Sequence, residues 1–131
     1  LEVAARGGMK KLESHAYALL RIVAGFMFTF HGVQKILGVM ADHRPPVGSQ
    51  LWIGGLIELF GGIMITSGLG TRLAAFVASG MMAVAYFQFH WQMRWDANFF
   101  PGVNKGELAV LYCFVFLLLA CGGNGRWSLG K

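Results

Sequence analysis

Four stretches of mainly apolar residues, each close to the length that crosses a bilayer, limit what this chain can become more than any other feature. They run from about Ala16 to Gly38, Leu51 to Gly70, Arg72 to Trp91 and Glu107 to Gly122. A helix needs about 20 such residues to cross roughly 30 Å of hydrocarbon, where only a structure that satisfies its own backbone hydrogen bonds is tolerated. The pattern therefore predicts an all-α integral membrane protein built as a bundle of four transmembrane helices. Gly68-Leu69-Gly70-Thr71-Arg72 leaves room only for a turn between antiparallel spans, with Thr71 expected as the N-cap of the third. Asp42-His43-Arg44-Pro45-Pro46 is a clear break between the first and second.

Composition and charge placement agree. Charged residues make up 13% of the 131 and hydrophobic ones 56%, whereas a soluble domain carries roughly a quarter charged residues. The net charge of +5 comes from basic loops and ends around acid-poor spans, which suits anionic lipid headgroups and not nucleic acid. Arg6, Lys10, Lys11, Arg72, Arg126 and Lys131 fall on one side of the expected spans, and Arg44, Arg94 and Lys105 on the other. The positive-inside rule then places both chain ends in the cytoplasm. Trp52, Trp91, Trp95 and Trp127 fall at span ends, where an indole can keep its ring apolar and its N–H solvated. Met9-Lys10-Lys11 reads as a natural start, so residues 1–8 are expected to be an upstream or artificial segment and 9–131 a single membrane domain. The first apolar run is long and has no small-residue cleavage site after it, so it is read as a retained span.

Within the spans, small and ionisable residues share helical stripes. Arg21, Ala24, Gly25, Phe28, His31, Gly32 and Lys35 form one on the first span, and Gly54, Glu58, Gly61, Gly62 and Ile65 form one on the second. Small residues allow membrane helices to approach closely, so the two stripes are expected to face each other. An ionisable group in hydrocarbon is costly unless paired, and it marks a functional position by default. His31 and Glu58 both lie about 10 Å below the predicted outer ends, with Lys35 one turn above His31. Glu58, His31 and Lys35 are therefore the candidate proton- or ligand-handling residues: Glu58 as proton acceptor, His31 as shuttle and Lys35 as counter-ion. A structural ion pair reads equally well from the same residues. Gln88, His90 and Glu107 belong to the same half of the bundle and are weaker candidates for ligand binding. Arg21 has no carboxylate partner on another span and is expected to snorkel to headgroups.

Other chemistries fit poorly. A haem held between His31 and His90 would need ligands at similar depth, yet the spans separate them by roughly 8–10 Å. His31, Glu58 and His90 have metal-binding side chains, but no HxxxH or CxxC spacing supports a site and Lys35 would repel a cation. Cys113 and Cys121 are eight residues apart on one predicted helix, about 12 Å along its axis and too far for a disulfide. They read as packing residues.

The order Leu20-Arg21, His31-Gly32-Val33-Gln34-Lys35, Gly55-Leu56-Ile57-Glu58, Gly61-Gly62 and Gly68-Leu69-Gly70-Thr71-Arg72, followed by Phe99-Phe100-Pro101, Gly106-Glu107-Leu108-Ala109 and Gly125-Arg126-Trp127-Ser128-Leu129, resembles the DoxX family of small bacterial membrane proteins. The resemblance implies a four-span helical protein of the bacterial inner membrane, with Arg21, His31, Lys35 and Glu58 at the family's polar motif positions. The family takes its name from likeness to the membrane subunit of a thiosulfate:quinone oxidoreductase. The resemblance thus implies a membrane subunit of a redox complex that contacts quinone or anchors soluble redox-enzyme partners. The chain lacks a reactive-cysteine motif and a soluble sulfur-handling domain, so a complete sulfur oxidoreductase is not expected. Whether the chain is itself an enzyme stays open. The alternatives are a non-catalytic scaffold with a structural ion pair, or a small transporter, which would need a homo-oligomer to build a pathway.

Overall fold

The computed structural model describes residues 2–130, and within them the chain is helical without strands. Helix α1 spans Glu2–Leu37, α2 Gln50–Ser67, α3 Thr71–Trp91 and α4 Glu107–Gly122. The first three are long and apolar enough to cross a membrane, while α4, apolar throughout, has 16 residues.

Helix α1 packs along α2 and α3 along α4, and the neighbours run antiparallel. From one end of the first pair to the other, Gly25 lies against Thr66, Thr29 against Gly62, Gly32 against Leu59 and Lys35 against Gly55. A Cβ at Gly25 would come within 2.6 Å of the Thr66 amide nitrogen, and one at Gly32 would collide with the Leu59 main chain. Small residues let these backbones touch, the usual device of membrane helix pairs. The contacting face of α2 therefore carries Gly55 and Gly62. Gly61 meets nothing, and Gly54 only the Met81 sulfur, which corrects the expected stripe at those two positions.

On the other pair, Thr71, Ala74, Ala75, Ala78, Ser79 and Met82 of α3 are buried. Ser79 Oγ donates to the Cys113 carbonyl of α4 at 2.7 Å. The pairs join through a core in which Phe28 of α1 sits 4.7 Å from Phe116 and 5.6 Å from Tyr112, ring centre to ring centre, with Ile65 and Leu119 fully enclosed beside them. Offset aromatic contacts of this kind add to the dispersion that holds membrane helices together, where water supplies no drive.

The chain ends and the Gly68–Gly70 turn share one end of the bundle, called here the terminal end; the 38–49 and 92–106 connections form the loop end. Gly68 and Gly70 both adopt left-handed backbone, φ 74° and 66°, so α2 stops at Ser67 and not at Gly70 as the apolar pattern suggested. Gly70, and not Thr71, stands at the N-cap of α3. Asn124 Oδ1 accepts from the Thr71 amide at 3.1 Å and does the capping from the far end of the chain.

Helix α1 also begins well before the expected Ala16. It is 36 residues long, about 54 Å, and Glu2–Glu13 stand clear of the bundle with every residue exposed. The apolar-run criterion locates only the part that needs lipid, and nothing in this polar stretch forbids helix beyond the Gly7-Gly8 pair, whose cost is modest. At the loop end Trp91 is buried and donates its indole N–H to the Arg94 carbonyl at 2.7 Å. That corrects its expected interfacial role, whereas Trp95 is exposed.

Candidate functional site

Two of the helices depart from α geometry, and both do so beside the same cavity. Ile57–Gly61 of α2 and Tyr86–Trp91 of α3 are π turns, wide turns that cost hydrogen-bond quality and recur at functional sites. The first carries Glu58 and the second Phe89 and His90. The cavity holds about 310 Å³ and takes walls from all four helices, among them Phe28, Met82, Phe89 and Tyr112. Glu58, Lys35, His31 and His90 all line it.

Glu58 is buried, with 3% of its surface exposed. Its Oε1 accepts from Lys35 Nζ at 2.6 Å. The Lys35 stem reaches it across Gly55, where a Cβ would come within 2.8 Å of the lysine's own Cβ. Glycine at that position is what lets the ammonium lie over α2. The Lys35 side chain keeps a third of its surface exposed, so the pair is lopsided: an enclosed carboxylate and a cation at the cavity mouth. The second carboxylate oxygen, Oε2, is buried and has no hydrogen-bond partner among the described residues. A buried polar atom left unpaired costs on the order of 1–3 kcal/mol, more for a charged group.

His31 packs edge-on to Tyr112 at 6.4 Å between ring centres. His90 stacks on Tyr86, and its Nδ1 lies 3.3 Å from the Asn104 carbonyl. The structure thus brings His31, Lys35, Glu58 and His90 to one cavity. It does not bring Gln88 or Glu107 there. Gln88 is exposed and exchanges amide hydrogen bonds with Gln50, at 2.6 and 3.1 Å, and Glu107 is exposed in the first turn of α4. Tyr112 and Lys105 also line the cavity and were missed. A hydroxyl on the otherwise apolar α4 was the available signal for Tyr112. Among the described residues no three of His, Cys, Asp and Glu converge as metal ligands.

Arg21 lies at the terminal end and is fully buried, which corrects its expected reach to headgroups. Its Nη1 donates to the Asn124 carbonyl and, at 2.7 Å, to that of Arg126, while Nη2 donates to that of Trp127 at 2.7 Å. Arg72 donates to the Cys121 carbonyl and, at 3.2 Å, to that of Ala120. Cys113 packs on the core and Cys121 is exposed, both as free thiols. Arg21 and Arg72 are thus spent on main-chain oxygens.

The sequence profile of the DoxX family matches residues 16–91, more than half of the 131 residues, from the middle of α1 to the end of α3, a stretch that carries Arg21, His31, Lys35 and Glu58. The chain belongs to the DoxX family. This DoxX protein is 40% identical over 125 residues to an uncharacterized protein of Haemophilus influenzae, covering 92% of each chain. It is 31% identical over 130 residues to the inner membrane protein YqjF of Escherichia coli strain K12, covering 94% of this chain and 95% of that one. No solved structure gives a significant match. With its apolar helices, the DoxX protein is a multi-pass protein of the bacterial inner membrane.

Proposed function

We propose that this DoxX protein is a four-span membrane subunit of a redox-associated complex, in which the cavity at the loop end binds a quinone-like or other small polar ligand. One observation carries this reading: Glu58 holds an unpaired, buried oxygen at a cavity to which every long helix contributes. Intramembrane carboxylates are rare and expensive, and one kept half-satisfied beside open volume is ready to accept a proton or a hydrogen bond. In this reading Glu58 accepts the proton, Lys35 is its counter-ion, and His31, which lines the same cavity, relays the proton. Clustering of Arg6, Lys10, Lys11, Arg72 and Arg126 around the terminal end supports a cytoplasmic position for that end and an opening of the cavity on the opposite face.

The test is Glu58→Gln in the purified full chain. Ligand binding, or quinone-linked turnover in membranes, is expected to weaken while the bundle still assembles as judged by size exclusion and helicity. Undiminished binding in this variant would remove the role given to Glu58.

A second reading has its own support. Lys10, Lys11 and Arg126 are exposed basic residues at the terminal end, suited to recruiting soluble redox enzymes to a scaffold whose ion pair is structural. Here trimming residues 126–131 releases partners from isolated membranes, and Glu58→Gln lowers thermal stability without changing any binding.

A further inference from the structure

We infer that the ligand is an aromatic alcohol, a phenol or hydroquinone carrying an apolar tail, whose hydroxyl sits between Glu58 and Lys35; this rests on the reading of the cavity as a ligand site. An ionised carboxylate only accepts hydrogen bonds, and an ammonium only donates them. Glu58 Oε1 is taken by Lys35 Nζ at 2.6 Å, and Oε2 is free and buried. That bond uses one of the three Nζ hydrogens. A hydroxyl answers both groups at once, accepting from Nζ and donating to Oε2 once the carboxylate turns that enclosed oxygen toward the cavity. A carbonyl answers the lysine alone and leaves Oε2 as it was. An ammonium would crowd Lys35, and an anionic head would face the free carboxylate oxygen.

The walls choose the carrier of that hydroxyl. Phe28, Phe89, Tyr112 and His31 present rings to the space, and rings pack best against another ring. A cavity of about 150 Å³ accommodates benzene, so about 310 Å³ holds a substituted ring and excludes a long tail. The tail has a way out. Leu51, Phe89 and Leu108 line the cavity and are also 45%, 44% and 51% exposed, so the wall they form is continuous with the apolar exterior of the bundle.

The experiment is equilibrium binding to the detergent-solubilised full chain of four compounds: a para-alkylphenol, its methyl ether, and an alkylated hydroquinone with its matching quinone. The hydroxyl compound of each pair is expected to bind at least about tenfold more tightly than its partner, the ratio set by one hydrogen bond to a charged group. Glu58→Met, similar in length and free of acceptors, brings both ratios to about one; because removing one partner of a buried ion pair is destabilising, the double variant Glu58→Met/Lys35→Met, which replaces the whole pair and usually leaves folding intact, is measured beside it and gives the same ratio. Glu58→Gln, which keeps a neutral acceptor, gives an intermediate ratio, because charge-assisted bonds are roughly twice as strong. Lys35→Met provides a second variant at the same pair and also lowers the ratio. Equal binding within the pairs, or tighter binding of ether or quinone, overturns the hydroxyl assignment and leaves a ligand site standing. Failure of all four compounds to bind overturns the assignment and the site together.

Discussion

Each end of this DoxX bundle buries an ionisable side chain between helices, and the two ends dispose of the charge in opposite ways. At the terminal end Arg21 is fully enclosed, and its two Nη atoms are spread over three main-chain carbonyls of the C-terminal tail. At the loop end Glu58 is almost as enclosed, but it has a single partner, a spare oxygen, and about 310 Å³ of space beside it. Burial of charge is common to both. Each also keeps one buried atom without a partner among the described residues, Arg21 Nε and Glu58 Oε2; what separates a fastening from a binding site is the open volume beside Glu58.

This contrast can be broken in order of expected effect on stability. Arg21→Met removes the donors to the Asn124, Arg126 and Trp127 carbonyls, and we expect a loss on the order of 3 kcal/mol, read as a lower melting temperature in detergent and faster tryptic cleavage after Arg126. A variant as stable as the parent would show that the tail is held by something else. Gly32→Ala comes next, since a Cβ would strike the Leu59 backbone; prising α1 from α2 is expected to cost about 1–3 kcal/mol and to weaken ligand binding, because Lys35 and Glu58 sit on the separated helices. Glu58→Gln should move stability by no more than about 1 kcal/mol, the scale of interhelical polar contacts in membranes, while weakening ligand binding. A large loss of stability with unchanged binding would reclassify the loop end as a second fastening. Gln88→Ala, whose side chain pairs with the lining residue Gln50 without itself lining the cavity, should stay within about 0.5 kcal/mol and bind as the parent does.

Much of the architecture could be read from the residues because bilayer thickness imposes itself on helix length. The fourth helix keeps the expected bounds, and the second and third start one residue from theirs. The pairing of Lys35 with Glu58 was legible for a similar reason, since an isolated charge in hydrocarbon is too costly to stand alone. Other features leave no such trace. Gly54-Gly55 and Gly61-Gly62 are double glycines, so two faces of α2, a residue apart, look equally smooth, and packing against α1 selects Gly55 and Gly62. The π turns follow from no compositional rule. The partners of Arg21 are main-chain oxygens of a tail 103 to 106 residues away, and a search for carboxylates passes over them.

Because Arg21 grips only carbonyl oxygens, it is indifferent to which amino acids supply them. The exposed side chains that the tail shows to its surroundings can be rewritten without untying this grip, and an anchor and a changeable label can occupy the same few residues.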